Sequence, residues 1–439
     1  MGDLVLNPYP QPWINPDEPG LLAGYTPHCD NELAQWGRVL NRAASGAIYD
    51  LSVRVGCPIV GQGGGILVTD NSANAQRSPV VIPVPPATQA HEVDMQYDAL
   101  PTATRYVVAP GWNSGTYLIV VNGIGTRITL NNAGTFTVIG DMSGRGPHRV
   151  GFSYDGANQF ACLNGRFVAQ NACAPTAIGG PGHVGDHSTV RLWKAYNINK
   201  TVAEFRASYI REFARKVVYQ WKPSAVGERS FATGNVGEGD FYCPSGGAGL
   251  STVWRPNLSE PGGGHLALTG DNAPSMARLD FMHPRMPIFG SWLIEYEVRN
   301  PAWAGDSPII GFTPMRGVDP TVAGSQSYWL NMYNNGGGWF RTSLYYENGA
   351  QIDGADLFAA SVLANDRNKC LLTHDVDGSW QVYTYNSSVR TWGWTVATPV
   401  NVASLSTNYL TIIPRGGYVT GVTRYQGSMT PHELETTLP

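Results

Sequence analysis

The residues of this sequence that could perform acid–base chemistry are acidic residues at alternate positions of a predicted strand. Residues i and i+2 of a strand share one face, and "EYEVRN" places Glu295 and Glu297 in this way. Glycoside hydrolysis by retention needs two carboxylates roughly 5 Å apart, one acting as nucleophile and one as acid. The segment "HEVD", from His91 to Asp94, offers no better set. We expect strands with a polar outward face at both places and no catalytic residue.

Two spacings are typical of metal ligands, but their surroundings favour loops. "HVGDH" sets His183 and His187 four residues apart, which would make a metal pair on a helix, but flanking glycines disfavour a helix. "DVDG" resembles the opening of a calcium loop at Asp375 and Asp377, yet the other ligands of such a loop do not follow. We expect a solvated loop and a hairpin turn, hence no metal and no cofactor, with calcium at Asp375 as the alternative.

The segment "SYWLNMYNNGGGWFRTSLYYENG" predicts a hairpin with an aromatic face. Its mainly apolar alternate residues should face the core. The other face then carries Trp329, Tyr333, Trp339, Arg341 and Tyr345. Aromatic rings beside polar groups suit a protein interface or a sugar platform. Burial beneath a loop or the N-terminal arm is the alternative.

The N-terminal arm, residues 1–29, is rich in proline, so we expect it to be extended. Tyr9, Trp13 and Ile14 lie among the prolines and are apolar anchors that suit docking along a neighbouring subunit. A disordered tail is the alternative.

The composition indicates an all-β chain. The 439 residues include 52 Gly and 31 Pro, aromatics reach 11% and charged residues only 14%. A net charge of −4 leaves no basic footprint for nucleic acid. No stretch approaches the about 20 apolar residues of a membrane span, so we expect no membrane insertion.

The cysteines and the first residues indicate a cytoplasmic origin. Six cysteines without CxxC spacing are typical of a chain folded in a reducing compartment, with a Cys162–Cys173 bridge as the alternative. The first twenty residues lack the pattern of a signal peptide.

The order of strand and helix patterns predicts two copies of one β domain. We expect a helix capped by Asp30 and running to Ala44, then strands from Ile48 to about Tyr196. A helix with Phe205, Tyr209, Ile210, Phe213 and Val217 on one face then ends the first domain at 218, before a linker at 219–229 and a second domain at 230–439. Each half closes on a capping box, Thr201 with Glu204 and Thr430 with Glu433, where each side chain caps the backbone of the other residue.

Weak identities in the same order support the repeat. Aligning Thr201 with Thr430 brings Tyr196 opposite Tyr425 and Asp155 opposite Asp375.

The strand "VGFSYDG" followed by a hairpin, together with the T-x-x-E capped short helices, resembles the laminin-G/concanavalin-A-like jelly-roll family. The resemblance covers roughly 45–218 and 230–439. It implies an all-β fold of two tandem antiparallel jelly-roll β-sandwiches, with short C-terminal helices and the extended N-terminal arm.

Because such modules occur on bacteriophage virion proteins, the resemblance implies a non-enzymatic virion structural protein. It would be made in the host cytoplasm and would decorate the capsid head. Its partners would be other virion proteins, either major capsid or tail subunits, and further copies in a homo-oligomer. A tail fibre or tail adhesin that binds host glycans is the alternative, and a glycan-degrading enzyme comes third. Glycosidase relatives carry E-x-D-x-x-E, and here Glu297 replaces the Asp and Asn300 the final Glu.

Overall fold

The structure of the chain is a computed structural model. The described residues are 14–26, 38–52, 59–60, 66–67, 76–77, 81–111, 115–130, 135–144, 146–175, 182–184, 187–221, 241–242, 250–256, 264–270, 277–280, 290–298, 305–313, 328–334, 339–345, 351–353, 358–359, 367–375, 380–386, 391–396, 409–412 and 417–436. Within these ranges the side chains of 38, 52–80, 219, 221, 241–253, 255–280, 297–368, 380, 382, 384, 386 and 391–417 are not described.

The chain divides into two units, with the boundary between Ala214 and Arg215. The sequence placed the end of the first domain at residue 218 and a linker at 219–229. The structure instead has a strand at Val217–Trp221 that pairs within the second unit. The predicted linker therefore begins inside a strand.

Sixteen strands of the first unit are described, all in antiparallel pairs. They are β1 Leu21–Tyr25, β2 Arg38–Val39, β3 Leu51–Ser52, β4 Ile59–Val60, β5 Ile66–Leu67, β6 Gln76–Arg77, β7 Ala90–Gln96, β8 Arg105–Ala109, β9 Thr116–Val121, β10 Gly125–Leu130, β11 Thr137–Gly140, β12 His148–Tyr154, β13 Asn158–Leu163, β14 Arg166–Ala172, β15 His183–Val184 and β16 Thr189–Tyr196. Sheet A has the order β14-β13-β12-β7-β16-β5-β4, with β1 also paired to β16, and sheet B the order β11-β10-β9-β8-β15-β6-β3-β2.

The core of the first unit lies between sheets A and B. Val93 and Trp193 from sheet A and Leu118 and Ile128 from sheet B belong to one cluster of fully buried apolar side chains. Alternation along each strand supplies these residues to the inner face. The predicted all-β sandwich class is confirmed, and the jelly-roll assignment stays a prediction.

Helix α1 (Val202–Tyr209) begins at the predicted capping box. The Thr201 hydroxyl accepts a hydrogen bond from the Glu204 backbone, and the Glu204 carboxylate accepts one from the Thr201 backbone. A π-helical turn, Ile210–Ala214, continues the helix. Phe205, Tyr209 and Phe213 are buried, as their four-residue spacing predicts.

The predicted helix from Asp30 to Ala44 is wrong in its described part, where Arg38–Val39 forms strand β2. Asn41 explains this, because its side chain accepts from the backbones of Gly24 and Ala43 and donates to Gly46. Side-chain bonds of this kind compete with the helical ladder. The other residues of the predicted helix up to 37 lie outside the described ones. A short 3₁₀ helix, Gly46–Tyr49, follows.

The second unit also has sixteen described strands. They are β17 Val217–Trp221, β18 Phe241–Tyr242, β19 Leu250–Pro256, β20 Gly264–Gly270, β21 Ala277–Asp280, β22 Gly290–Val298, β23 Gly305–Thr313, β24 Tyr328–Asn334, β25 Trp339–Tyr345, β26 Gln351–Asp353, β27 Phe358–Ala359, β28 Arg367–His374, β29 Trp380–Asn386, β30 Thr391–Val396, β31 Tyr409–Ile412 and β32 Gly417–Tyr425. Helix α2, Pro431–Glu435, follows the second capping box at Thr430.

The strand order of the second unit repeats that of the first. Sheet C runs β30-β29-β28-β22-β32-β20-β19 with β17 also on β32, and sheet D runs β26-β25-β24-β23-β31-β21-β18 with β27 on β25. Strand by strand in chain order, sheet C therefore matches sheet A. The predicted repeat of one strand order is confirmed.

The hydrogen-bond register repeats as well. Tyr196 pairs with Ala90 on β7, and Tyr425 pairs with Ser291 on β22. Both last strands carry a bulge at the same step, after Leu192 has paired with Asp94 in sheet A and after Gly421 has paired with Glu295 in sheet C. The two units are therefore equivalent residue by residue along these strands.

Candidate functional site

The outer face of sheet A holds a cluster of buried charges. Glu92 and Asp94, two residues apart on β7, share this face, and their exposures are 0% and 2%. Between them Val93 points the other way, into the core. The alternation of side chains along the strand thus places two carboxylates side by side on the same face, where both are buried.

Arg149, on the neighbouring strand β12, holds these carboxylates together. Its Nε and Nη2 donate to the two oxygens of Asp94 at 2.6 and 2.9 Å, a bidentate pair. Its Nη1 donates to Glu212 at 3.1 Å and lies 3.4 Å from a Glu92 oxygen. The Ser208 hydroxyl also donates to Glu92, at 2.7 Å.

Two lysines extend the cluster to the N-terminal segment. Lys194 Nζ donates to Glu18 at 2.7 Å and to Glu212 at 2.8 Å. Lys200 Nζ donates to Glu92 at 2.9 Å and to Glu18 at 3.1 Å. Residues from the N-terminal segment, sheet A and the helical segment are thereby joined by ion pairs.

The electrostatics keep every member with a shifted pKa charged. Burial alone would raise the pKa of Glu212, but Arg149 and Lys194 hold it well below its ordinary value. Burial alone would raise the pKa of Glu18 too, and Lys194 and Lys200 lower it. Burial alone would lower the pKa of Arg149, but Asp94, Glu212 and Glu92 raise it above its usual range.

An apolar cluster lies beside the charges beneath helix α1. Phe205 packs there with Phe160, Leu192 and Tyr196. The ring of Phe205 approaches Gly151 so closely that a Cβ there would lie 2.7 Å from it. The glycine sets how near the helix lies to the sheet.

This arrangement supports positioning rather than acid–base chemistry. A general acid needs a proton to give, and a nucleophile needs access to substrate. Glu92 and Asp94 are bound to cations, and their side chains are 0% and 3% exposed. Their contacts instead fix helix α1 and the N-terminal segment on sheet A.

The predicted carboxylate pair Glu295 and Glu297 lies on β22, as expected. The register places Glu295 opposite Lys369 and Glu297 opposite Arg367. Glu295 is half-buried. The side chain of Glu297, and Asn300 altogether, lie outside the described residues.

The backbone brings four of the five predicted aromatic-face residues into direct pairs. Trp329 lies opposite Tyr345, and Tyr333 opposite Arg341, on strands β24 and β25. Trp339 alternates with Arg341 along β25 and so shares its face. The β23 residues Asp306 and Gly311 pair with Tyr333 and Trp329 and extend that face.

The structure separates the residues of the two metal-like spacings, and the solvated loop expected at His183 is wrong, because that residue lies in a buried strand. His183 is fully buried on β15, whereas the His187 ring bonds to the Ala99 carbonyl at 2.7 Å. Asp375 is buried and accepts from the Ser428 hydroxyl at 2.6 Å, and Asp377 lies outside the described residues. No group of three potential metal ligands occurs among the residues described. Cys162 and Cys173, the alternative bridge, are both free thiols.

More of the N-terminal arm packs on its own unit than the sequence predicts. Ile14, predicted as a docking anchor for a neighbouring subunit, is 5% exposed in the apolar cluster of Phe205. Leu21–Tyr25 is strand β1 of sheet A. The arm prediction is therefore corrected for residues 14–25, because burial against sheet A satisfies these apolar side chains. Tyr9 and Trp13 lie outside the described residues.

Sequence reasoning missed the charge cluster. The segment "HEVD" by itself suggests only a candidate catalytic pair. The signal that could have found the cluster was the alternation itself, since β12 and β16 also carry a cation, at Arg149 and Lys194, on the face opposite to the core residues Phe152 and Trp193.

Comparison with known proteins gives distant structural similarity alone. No family model and no curated protein matches the chain. Among solved structures it is similar to the botulinum neurotoxin serotype D binding domain, at 10% identity and TM-score 0.35 over 90% of this chain and 97% of that one. It is also similar to the binding domain of botulinum neurotoxin DC in complex with rat synaptotagmin II, at 9% identity and TM-score 0.38 over 95% and 97%.

A third similar structure is the same DC domain in complex with SialylT, at 9% identity and TM-score 0.38 over 90% of this chain and 99% of that one. At identities and TM-scores this low, the likeness carries no conclusion about the ligand or partner of this chain. Separately, none of the helices described here has the length and apolar character needed to cross a membrane.

Proposed function

We propose that this chain is a non-enzymatic structural protein of a bacteriophage particle, displayed on the capsid head as a decoration protein. The resemblance of its strand and capping-box motifs to jelly-roll modules of virion proteins suggests the particle. One structural observation favours a non-catalytic role. The acidic pair on β7, Glu92 and Asp94, is buried in ion pairs with Arg149 that help to hold helix α1 on sheet A, and it does not form an open site.

The surface that we propose for attachment is the sheet D face of Trp329, Tyr333, Trp339, Arg341 and Tyr345. Two directly opposed residue pairs, Trp329 with Tyr345 and Tyr333 with Arg341, bring three aromatic residues and one arginine together on neighbouring strands. Large aromatic residues and arginine are the types that dominate binding energy at protein interfaces. The partner would be a major capsid subunit, contacted by several copies of this chain.

A tail adhesin that binds host glycans is the second candidate, and the same face supports it. Sugar rings stack on aromatic side chains, and arginine donates to hydroxyl groups. Both candidates require the chain on the particle, and they differ in where it sits.

Immunogold electron microscopy of purified particles, with an antibody against this chain, tests the proposal. Gold along the head supports decoration. Gold at the tail tip favours the adhesin, and unlabelled particles that contain every other virion protein overturn both. The Trp329→Ala/Tyr345→Ala variant should fold but should no longer be incorporated into particles. The control is Val138→Ala, at an exposed position of the first unit, which should be incorporated as the parent is.

The non-enzymatic role has its own test. The double variant Glu295→Gln/Glu297→Gln should behave like the parent in assays of glycan release, with neither protein active. Activity in the parent that disappears in the folded double variant would make the protein a glycosidase.

A further inference from the structure

Strand β14, Arg166–Ala172, forms one edge of sheet A. Among the residues that the structure describes, β13 is the one strand that pairs with it. Five of its seven residues are exposed, and two of these are large and apolar, Phe167 at 50% and Val168 at 38%. Edge strands are commonly protected by charged residues or proline, but residues 167–172 include neither. The edge therefore offers a place for a further strand.

The backbone groups of β14 point alternately towards β13 and away from it. The Cys173 amide donates to the Ala157 carbonyl at 3.1 Å, which continues the pairing of β14 with β13 by one residue. Because successive residues of an antiparallel pair alternate in direction, Asn171 also points its backbone groups to β13. Gln170 and Ala172 therefore direct their N–H and C=O groups outward, away from sheet A.

A bulge sets how much of this edge a partner strand can use. Phe167 and Ala169 pair with successive residues of β13, so Val168 between them is an extra residue that interrupts the alternation. A regular partner strand can therefore pair only with the part of β14 that follows the bulge. The outward backbone groups in that part are those of Gln170 and Ala172.

We propose that two copies of this chain pair through β14, antiparallel about a two-fold axis at Asn171. Gln170 and Ala172 lie symmetrically about Asn171, so the axis places Gln170 of each copy opposite Ala172 of the other. Each such pair exchanges two backbone hydrogen bonds, and sheet A becomes continuous across the two copies. This self-complementary placement favours a second copy over an unrelated strand. The proposal is independent of the sheet D face and of the location of the chain on a particle.

The side chains at the two ends of β14 are complementary in this pairing. Phe167 and Val168 of one copy come opposite residues 174–175 of the other, an alanine and a proline. Arg166 lies at the start of β14, whereas the exposed Asp155 lies in the β12–β13 turn beside the end of β14. Antiparallel pairing brings the start of one β14 to the end of the other, so opposite charges lie at the same end of the contact and attract each other.

Sedimentation velocity of the full chain over a range of concentrations tests the pairing, and we expect a reversible dimer. Gln170→Pro removes an outward N–H at a place where an edge strand tolerates proline, so the urea midpoint should stay that of the parent. The dimer loses one hydrogen bond at each of its two symmetric pairs, which should raise its dissociation constant about tenfold or more. The matched control, Gln170→Ala, keeps the N–H and should dimerise as the parent does.

Disulfide trapping tests the register without the proline variant. Residues that face each other in a non-hydrogen-bonded antiparallel pair have Cα atoms about 4.5 Å apart, which lies within disulfide range. Asn171→Cys should therefore form a covalent dimer under mild oxidation, well above the background of the parent. Ala172→Cys is the control, because its own copy lies further along the strand and should cross-link far less.

Three results would overturn the proposal. The first is a parent that stays monomeric at every concentration. The second is a dimer that the folded Gln170→Pro variant leaves intact. The third is a failure of Asn171→Cys to cross-link above the parent, or cross-linking through Ala172→Cys in its place.

Discussion

Arg149 lies among the side-chain oxygens of Asp94, Glu92, Glu212 and Ser208, at distances between 2.6 and 3.4 Å. Taking ions out of water is costly, and only close geometry and complete pairing offset that cost. The consequence is asymmetric. The complete cluster adds little stability over an apolar replacement, whereas loss of one member leaves buried charges without partners.

Replacing Arg149 by Met should therefore cost about 3–5 kcal/mol of unfolding free energy, because Asp94 would stay buried without the cation it pairs with. Urea denaturation followed by tryptophan fluorescence measures this loss. The control is Arg211→Met, since Arg211 also pairs with Glu212 but its side chain is 46% exposed. We expect the control to change stability by at most about 1 kcal/mol. Equal losses in both variants would contradict the account of burial.

His91 predicts a pH dependence. Burial lowers its pKa from 6.5 to about 3, so the imidazole is neutral in the folded chain at neutral pH. Because the folded pKa lies below the unfolded one, the unfolded state binds the proton first as pH falls. Stability that is present above pH 6.5 is then lost towards pH 3, by about 2 kcal/mol between pH 6.5 and pH 5.

His91→Phe should remove that part of the slope. The phenyl ring keeps the stacking on Phe152, whose centroid lies 4.7 Å from the imidazole. Urea midpoints at pH 7 and pH 5 should differ by less in the variant than in the parent. An unchanged difference between the two midpoints would show that His91 does not titrate on unfolding.

At the scale of elements, the distance between helix α1 and sheet A depends on one glycine. Gly151 lets the Phe205 ring approach β12, and a Cβ at residue 151 would meet it at 2.7 Å. The second unit has Leu371 at the position of Gly151, and Leu434 follows its capping threonine as Phe205 follows Thr201. The first unit thus combines a small residue on the strand with a large one on the helix, whereas the second unit has a leucine of intermediate size at both positions.

We expect Gly151→Ala to cost about 1–3 kcal/mol through overpacking. Adding Phe205→Leu should recover part of that loss, although Phe205→Leu is itself destabilising in the parent. A double-mutant cycle from urea unfolding measures this coupling. Strictly additive losses would show that the helix moves freely to accommodate the added methyl group.

At the scale of the whole molecule, a deletion series can separate the packing of the N-terminal residues in the first unit from their proposed role in attachment. Ile14 and Glu18 belong to the first unit through the apolar cluster and the two lysines. Residues 1–13, which contain Tyr9 and Trp13, lie outside the described residues. Folding and attachment can therefore be tested with different truncations.

Deleting residues 1–13 should leave thermal unfolding of the first unit unchanged and abolish incorporation into particles if the arm attaches the protein. Deleting residues 1–20 should also destabilise the first unit, by about 3 kcal/mol or more, because Ile14 is lost and Lys194 loses Glu18. Calorimetry and particle sedimentation measure the two effects. Full incorporation of the shorter truncation would assign attachment to the sandwiches themselves.

Local chemistry let the sequence by itself predict much of the fold. Alternating apolar residues and Asp-Gly and Asn-Gly dipeptides predicted the hairpins of β12, β13 and β14, because a hairpin turn depends on two residues. The capping boxes at Thr201 and Thr430 predicted both helix starts, since each needs only residues three apart. The order of these signals then predicted the repeat.

Only the tertiary structure decided which of these local features are covered and by what. The ion pair of Glu18 with Lys194 joins residues 176 positions apart, and no local pattern contains it. The prediction of a helix up to Ala44 is wrong because the Asn41 side chain accepts a hydrogen bond from the backbone of Gly24. Gly24 lies on strand β1, within the residues that the sequence assigned to an arm docked on a neighbouring subunit. Burial depends on which surfaces meet. Glu92 and Asp94 of "HEVD" are therefore buried ion-pair residues because helix α1 lies over them.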